Sequence, residues 1–145
     1  MGQGKIYAIS VSSERGQLKK EVPEANIIEN HGIENDGHAG DWGRQITCLD
    51  WASIQRVNKD RHLKAGPGDF AENILINGLD LSSLVVGSQI RLATDVVLEV
   101  TQIGKEDHPS VVSRTFGVSL LPSKGLFCRV TKGGKIKKGD SVQIL

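Results

Sequence analysis

The sequence predicts a mainly β fold, a single compact β-barrel that carries one or two short helices. Segments with alternating or β-branched apolar residues recur along the chain, which is typical of strands with one buried face. The 17 glycines fall largely between these segments, where an antiparallel chain turns back. A chain of 145 residues suits one domain. We therefore expect one domain over residues 1–145.

Eight segments are predicted to be strands because they are rich in Val, Ile, Leu and Thr and are bounded by turn-forming residues. They lie at 5–11, 26–29, 45–49, 73–76, 88–93, 96–103, 126–130 and 141–144. The apolar pattern runs almost to Leu145, so we expect the last strand to be paired into the sheet.

One helix is predicted at about 50–60. Asp50 can cap it, and Trp51, Ile54 and Val57 recur at helical spacing. A second short helix is predicted after Gly78, where four apolar residues of 79–85 can share one face.

Composition excludes several classes of protein. The 18 Lys and Arg nearly balance the 17 Asp and Glu, which argues against a nucleic-acid binder that depends on phosphate neutralisation. No apolar run reaches the ~18 residues of a membrane-spanning helix, and no secretory signal is evident, so we expect a cytoplasmic protein that binds no membrane. The two cysteines, Cys48 and Cys128, lie in apolar segments and are expected to be buried, reduced thiols.

The richest polar cluster is 31–45, which contains Asp36, His38 and Arg44 among four glycines. Glycines allow backbone amides to approach a ligand, and His and Arg supply donors for an oxyanion or phosphate. An ordinary turn, in which Asp36 caps backbone amides and Arg44 pairs with a carboxylate, is an equally open interpretation.

Two further polar clusters follow predicted strands or lead into them. Asn73 ends the segment 67–73 and can recognise a ligand or hold the loop, while 104–109 contains Lys105, Asp107 and His108. Sites are common at the mouth of a barrel. We therefore predict that 31–45 and 104–109 line one concave site.

Other chemistry has weaker support. Cys128 beside Arg129 is a candidate nucleophile, although neighbours on a strand face opposite ways. The lysines of 132–135 are typical of a hairpin turn. The four histidines lack zinc-site spacing, and no serine-hydrolase, P-loop or Rossmann motif occurs. The residues alone indicate an anion-binding barrel.

A series of short blocks, in a fixed order, resembles one known family. They are 32–40 with Arg44-Gln45, 67–74, 78–81, 86–88, 101–105, 125–130 and 139–140. Together they are similar to the MOSC family, named for the C-terminal domain of molybdenum-cofactor sulfurases, over about residues 5–145.

The resemblance implies a barrel-like β fold that binds the pyranopterin molybdenum cofactor or handles sulfur for its metal. It implies cofactor-binding roles for seven residues: Asp36, His38, Arg44, Asn73, Lys105, His108 and Arg129. Arg44, Lys105 and Arg129 would hold the phosphate, while His38 and Asn73 would contact the pterin. Because larger members pair the domain with a cysteine desulfurase, pyridoxal phosphate binding and sulfur carriage are associated functions.

The chain departs from the family at one position. After Ile-Gly-Lys, many small members carry Glu-Cys-His, whereas this chain has Glu106-Asp107-His108. Asp107 cannot carry sulfane sulfur, but it can bind a metal through oxygen, so it is the expected catalytic and metal-binding residue. Cys128 can compensate only if the fold brings it to the same pocket.

Three functions remain open at this stage. The first is a cofactor-binding or sulfur-handling module for cofactor maturation or delivery, partnered by a cofactor-biosynthesis enzyme or a molybdoenzyme. The second is a reductase of N-hydroxylated compounds that uses the molybdenum cofactor. The third is a non-catalytic domain that binds an anion or docks a partner.

Overall fold

The computed structural model describes residues 3–107 and 109–145, which form eleven strands and three helices. The elements are β1 (Gln3–Val11), β2 (Lys20–Val22), β3 (Glu24–Ile28), β4 (Gly32–Ile33), β5 (Ile46–Asp50), α1 (Trp51–Arg61), β6 (Ile74–Asn77), β7 (Gln89–Leu92), β8 (Val96–Ile103), α2 (Val111–Phe116), α3 (Leu121–Lys124), β9 (Leu126–Lys132), β10 (Gly134–Lys137) and β11 (Ser141–Ile144).

Seven of these strands close a barrel in the order β11-β7-β8-β9-β5-β6-β1, and pairing of β1 with β11 completes the circle. Strand β5 runs parallel to β6, and α1 makes the crossover that a parallel pair requires. Strand β2 extends the sheet beyond β1, and β10, β3 and β4 form a small second sheet. The mainly β, barrel-like prediction is confirmed.

Two apolar clusters hold the barrel together. One fills its interior and includes Ile46 and Cys48, while the other packs the helices against its outer face and includes Leu49 and Phe127. Successive residues of β5 therefore serve the two clusters alternately, as strand geometry requires. Both faces of β5 are buried. The strand therefore holds in place the loop that precedes it and helix α1 that follows it.

Several local predictions need correction. No helix follows Gly78, because the chain makes a tight turn that buries Leu81 and Leu84 with a backbone bond from Leu84 to Leu81. Helices α2 and α3 were not predicted. The segment 132–135 is not the turn of a hairpin, because β10, which begins within it, pairs with β3 rather than with β9. Among the described residues, no helix is long and apolar enough to cross a membrane.

Candidate functional site

A cleft of about 420 Å³ opens on the outer face of the barrel, where the loop after β4 meets the segment after β8. Its described lining includes His38, Trp42, Arg44, Lys105, Arg114 and Phe127. The prediction that 31–45 and 104–109 line one concave site is confirmed by this lining.

Arg44 is held at the cleft by its neighbours on both sides. Its Nε donates to Oε1 of Gln102 at 3.0 Å, and its guanidinium lies 5.0 Å from the centre of the Phe127 ring. Gln102 also donates to the carbonyl of Gly104 at 2.8 Å. The next residue, Gln45, donates to the Gly40 carbonyl and accepts from the Val130 amide. The Arg44-Gln45 pair thus aims one side chain into the cleft and fixes the loop with the other.

The charged side chains of the cleft are of one sign. Arg44, Lys105 and Arg114 line it, and its described lining contains no Asp or Glu. The pKa of Lys105 is lowered by burial and then by the nearby charge of Arg44, against weaker opposite effects of the carboxylates that follow it in sequence. Two cations held close together at a half-buried site are stabilised by an anion between them.

His38 contributes a neutral ring. Burial, followed by the charge of Lys19, lowers its pKa to about 4, and the opposing effect of Asp36 is smaller. Its Nδ1 lies 3.0 Å from Nζ of Lys19. Asp36, predicted to bind the cofactor, lies behind His38, where it accepts from Lys19 at 2.8 Å and from the backbone amides of Ser12 and His38. Asp36 therefore supports the loop from behind and is not part of the described cleft lining.

One wall of the cleft is aromatic and apolar. Trp42 donates from Nε1 to the His38 carbonyl at 2.7 Å, and its ring is nearly parallel to the His38 ring. The guanidinium of Arg15 lies 4.0 Å from the Trp42 ring centre. Phe127 and Leu121 complete the wall. A flat ring and a negative charge can therefore be accommodated together.

Helix α2 adds residues that were not predicted from the sequence. Ser110 caps its start, with reciprocal bonds between the side chains and backbones of Ser110 and Ser113. The helix brings Val111 and Arg114 to the cleft. Ser110 followed three residues later by a polar side chain was a readable start signal, whereas the direction of Arg114 depends on tertiary packing.

Asn73 lies outside the described cleft lining. It is buried, accepts from the Thr47 amide at 2.9 Å and donates to the Ser10 carbonyl at 3.1 Å. Its neighbour Glu72 accepts from the amides of Gly68 and Phe70. The 67–73 segment is thus held by its own side chains and supports the base of the cleft through Ala71.

The remaining predicted residues are dispersed. Cys128 is fully buried in the barrel interior, where the nearby Cys48 and burial raise the pKa of its thiol well above the usual range. This position does not favour a nucleophile. Arg129 and Asp107 are exposed, and neither belongs to the described lining of the cleft. His108 lies outside the described residues. Among those described, no group of three or more His, Cys, Asp or Glu could hold a metal.

The expectation for the cysteines is met. Cys48 and Cys128 are both buried and free. Neither lies on the described lining of the cleft.

A second cleft differs in charge. It has a volume of about 400 Å³ and lies near α1, α3 and the turn at 80–84. Its charged residues are of both signs: Asp50, Arg56, Asp80 and Lys124. Mixed charges give it no preference for an anion, so the first cleft is the better candidate site.

The MOSC domain model matches residues 35–143, which is most of the chain. The chain belongs to the MOSC family. A comparison with curated protein sequences gives no match. The matched region begins just before Asp36 and includes Arg44, Lys105 and Arg114, so most of the cleft lies within it.

Solved structures agree with this MOSC fold. The YuaD protein from Bacillus subtilis superposes with a TM-score of 0.79 at 18% identity, over 99% of this chain and 96% of that one. YiiM from Geobacillus stearothermophilus gives 0.76 at 16%, covering 98% and 75%. YiiM from Escherichia coli gives 0.70 at 17%, covering 97% and 69%. At these identities the likeness concerns the fold alone.

Proposed function

We propose that the cleft of this MOSC domain binds the pyranopterin of the molybdenum cofactor, and that the domain acts in maturation or delivery of that cofactor. One observation carries the proposal. Arg44, Lys105 and Trp42 line one cleft whose described lining has no carboxylate, and the pKa of Lys105 is lowered by burial and then by the charge of Arg44. This donor set suits a planar heterocycle that carries a phosphate.

The lining of the cleft supports binding of the organic part of the cofactor. Arg44, Lys105 and Arg114 would hold the phosphate, while Trp42 and the N–H of His38 would contact the ring system. When bound, the cofactor would supply a redox-active molybdenum centre. For the metal, the described lining offers no thiolate, so the proposed protein ligand is the carboxylate of Asp107 on the exposed segment beside Lys105.

Between cofactor binding and sulfur carriage, the position of the thiols favours binding. A persulfide carrier needs a reactive, accessible thiolate, whereas Cys48 and Cys128 are both buried inside the barrel. The proposed partner is therefore an enzyme that donates or receives the assembled cofactor in the cytoplasm. Pyridoxal phosphate combines a planar ring with a phosphate in the same way and serves as a competing ligand in the test.

The proposal is tested by expressing the chain with an intact cofactor pathway and measuring pterin and molybdenum per chain. We expect pterin in the wild type and its loss in the Arg44→Gln/Lys105→Gln double variant. Arg129→Gln is the matched control, because it removes the charge of an exposed Arg outside the described cleft lining. Absence of pterin from the wild type, retention of pterin by the double variant, or co-purification of pyridoxal phosphate in place of pterin would overturn the assignment.

The proposed role of Asp107 as a metal ligand is tested separately. We expect Asp107→Ala to lower the ratio of molybdenum to pterin without removing pterin. Asp107→Cys should keep or raise the ratio, because a thiolate is the softer donor. A molybdenum-to-pterin ratio that is equal in all three proteins would contradict the proposed role of Asp107.

A further inference from the structure

Lys19 is a buried lysine immediately behind the cleft. Its side chain and that of Asp36 each have an exposed fraction of 0%. Nζ lies 2.8 Å from Oδ1 of Asp36, 3.1 Å from Oγ of Ser12 and 3.0 Å from Nδ1 of His38. Burial of a charge at this depth is costly, so its partners must compensate for lost water.

The donor count decides the state of the His38 ring. A lysine ammonium has three N–H donors and no acceptor, and Nζ of Lys19 has three neighbours that can accept. The Ser12 hydroxyl donates onward to the Glu14 carbonyl at 2.9 Å, which leaves its oxygen to accept from Lys19. Nδ1 of His38 must therefore accept as well, and the ring proton lies on Nε2.

The second ring nitrogen of His38, Nε2, is available to a ligand in the cleft. The side chain of His38 is 22% exposed, while its Nδ1 is turned towards a fully buried ammonium. Nε2 makes no hydrogen bond to any residue among 3–107 and 109–145. An N–H at the edge of a cleft that has no partner among the described residues is available to a ligand acceptor.

We propose that Lys19 is a positioning residue, which fixes His38 as a neutral Nε2–H donor towards the ligand and prevents it from acting as a general base. The inference rests on the proposed role of the cleft as the ligand site. It predicts that the ligand presents an oxygen or nitrogen lone pair to His38, because that ring can only donate to it. The phosphate of the ligand would be bound instead by the cationic side chains that line the cleft.

The charges around the ring support this role. Lys19, Arg15 and Lys105 oppose protonation of His38, and Asp36 favours it. Asp36 is already engaged by the ammonium of Lys19 and by two backbone amides. His38 is therefore expected to stay neutral across about pH 5 to 8, and its contribution to binding should not change with pH in that range.

The first measurement follows the ring nitrogens of His38 by NMR in the wild type, with signals assigned by comparison with His38→Gln. We expect the proton on Nε2 and no titration between about pH 5 and 8. In Lys19→Met, Nδ1 loses its donor and lies 3.9 Å from Oδ2 of Asp36, a carboxylate that no longer has a cationic partner there. We then expect protonation of the ring with a pKa at least one unit higher.

Two further variants control for folding and charge. Lys19→Met/Asp36→Asn removes both buried charges, so the protein can fold even if the single variant cannot, and His38 should again titrate at higher pH than in the wild type. Lys20→Met removes the neighbouring charge from an exposed side chain and should leave His38 unchanged. A proton on Nδ1 in the wild type, or unchanged titration in both Lys19 variants, would overturn the proposal.

The second measurement uses sulfate, which stays fully ionised across this range, so that only the protein titrates. We expect sulfate affinity in the Lys19 variants to rise more steeply towards acid pH than in the wild type, because His38 becomes a cation. If the wild type fails to bind sulfate while the ring behaves as expected, the proposed function fails and the role of Lys19 in fixing the ring stands. Equal pH slopes in variants and wild type would contradict the inferred role in binding.

Discussion

At the scale of single residues, burial rather than distance determines how much stability is lost when one partner of an ion pair is removed. Lys19 and Asp36 lie 2.8 Å apart with fully buried side chains, whereas Lys135 and Glu24 lie 2.7 Å apart with about half of each side chain exposed. Removing one partner of a buried pair leaves the other charge buried without compensation, which is strongly destabilising. When one partner of an exposed pair is removed, water solvates the remaining charge and the free energy of unfolding changes little.

We expect Asp36→Ala to lower the free energy of unfolding by about 3–5 kcal/mol. Glu24→Ala, the control at an equally short but exposed pair, should cost no more than about 1 kcal/mol. Urea unfolding followed by fluorescence measures both. Similar losses in the two variants would contradict the account of Lys19 and Asp36 as a buried support for the cleft.

Glu72 gives a pH dependence of stability. Burial raises its pKa from 4.5 to about 7, against weaker opposite effects of backbone amides. Between these values the folded chain holds a proton that the unfolded chain has released, so stability is present at low pH and lost as pH rises. Relative to Glu72→Gln, the wild type should lose roughly 2–3 kcal/mol from about pH 4.5 to 7.

Urea unfolding at a series of pH values measures this difference for Glu72→Gln. Glu29→Gln, at an exposed position, is the control and should track the wild type. A constant difference between wild type and Glu72→Gln at all pH values would show that Glu72 is ionised in the folded protein.

Sequence reasoning identified part of the site. His38, Arg44 and Lys105 could be predicted because polar side chains among glycines at strand ends are poor strand material. Lys19 and Arg114 could not, because a lysine is almost always solvated and only packing determines which way a helix face points. Cys128 and Asn73 were predicted to be site residues but are buried in the core. The sequence does not distinguish these two locations, because thiol and amide side chains occur both in sites and in protein interiors.

At the scale of elements, strands were more predictable than their connections. Apolar alternation marks a strand locally, but the pairing of β10 with β3 rather than β9 depends on residues far apart in sequence. The short helices α2 and α3 have too few residues for a helical period. The four apolar residues of 79–85 predicted a helix wrongly, because the same spacing also fits a turn packed against the barrel.

The 67–73 loop depends on close contact with the segment that carries Lys19. Gly68 has φ +83, and a Cβ there would overlap the carbonyl oxygen of Lys19. Gly139 has φ +93, but a Cβ there would meet nothing within 4 Å. Both positions disfavour a side chain through their backbone conformation. Only Gly68 adds a steric overlap.

We therefore expect Gly68→Ala to cost about 1–3 kcal/mol more than Gly139→Ala, the matched control for backbone strain. The displaced segment should also loosen Lys19, so the His38 ring signals should change in Gly68→Ala and not in Gly139→Ala. Denaturant unfolding and NMR measure the two effects. Equal costs would mean that the loop adapts without strain.

At the scale of the whole molecule, the chain is nearly neutral and yet holds a cationic cleft. The formal net charge is +1, so the general field of the protein does little to attract an anion. Attraction must come from the local cluster of Arg44, Lys105 and Arg114, held on one side of a closed barrel. The barrel fixes the strand ends, and the loops at those ends supply the charges.

The most direct test of this account is the affinity of the purified protein for a phosphorylated pterin and for the same pterin without its phosphate, measured by calorimetry. We predict that the wild type binds the phosphorylated form at least about tenfold more tightly, a difference of about 1.4 kcal/mol. Arg44→Gln/Lys105→Gln should abolish this preference, while Arg129→Gln should keep it. Equal affinities of the wild type for the two ligands, or a preference that depends on Arg129 instead, would contradict the central claim.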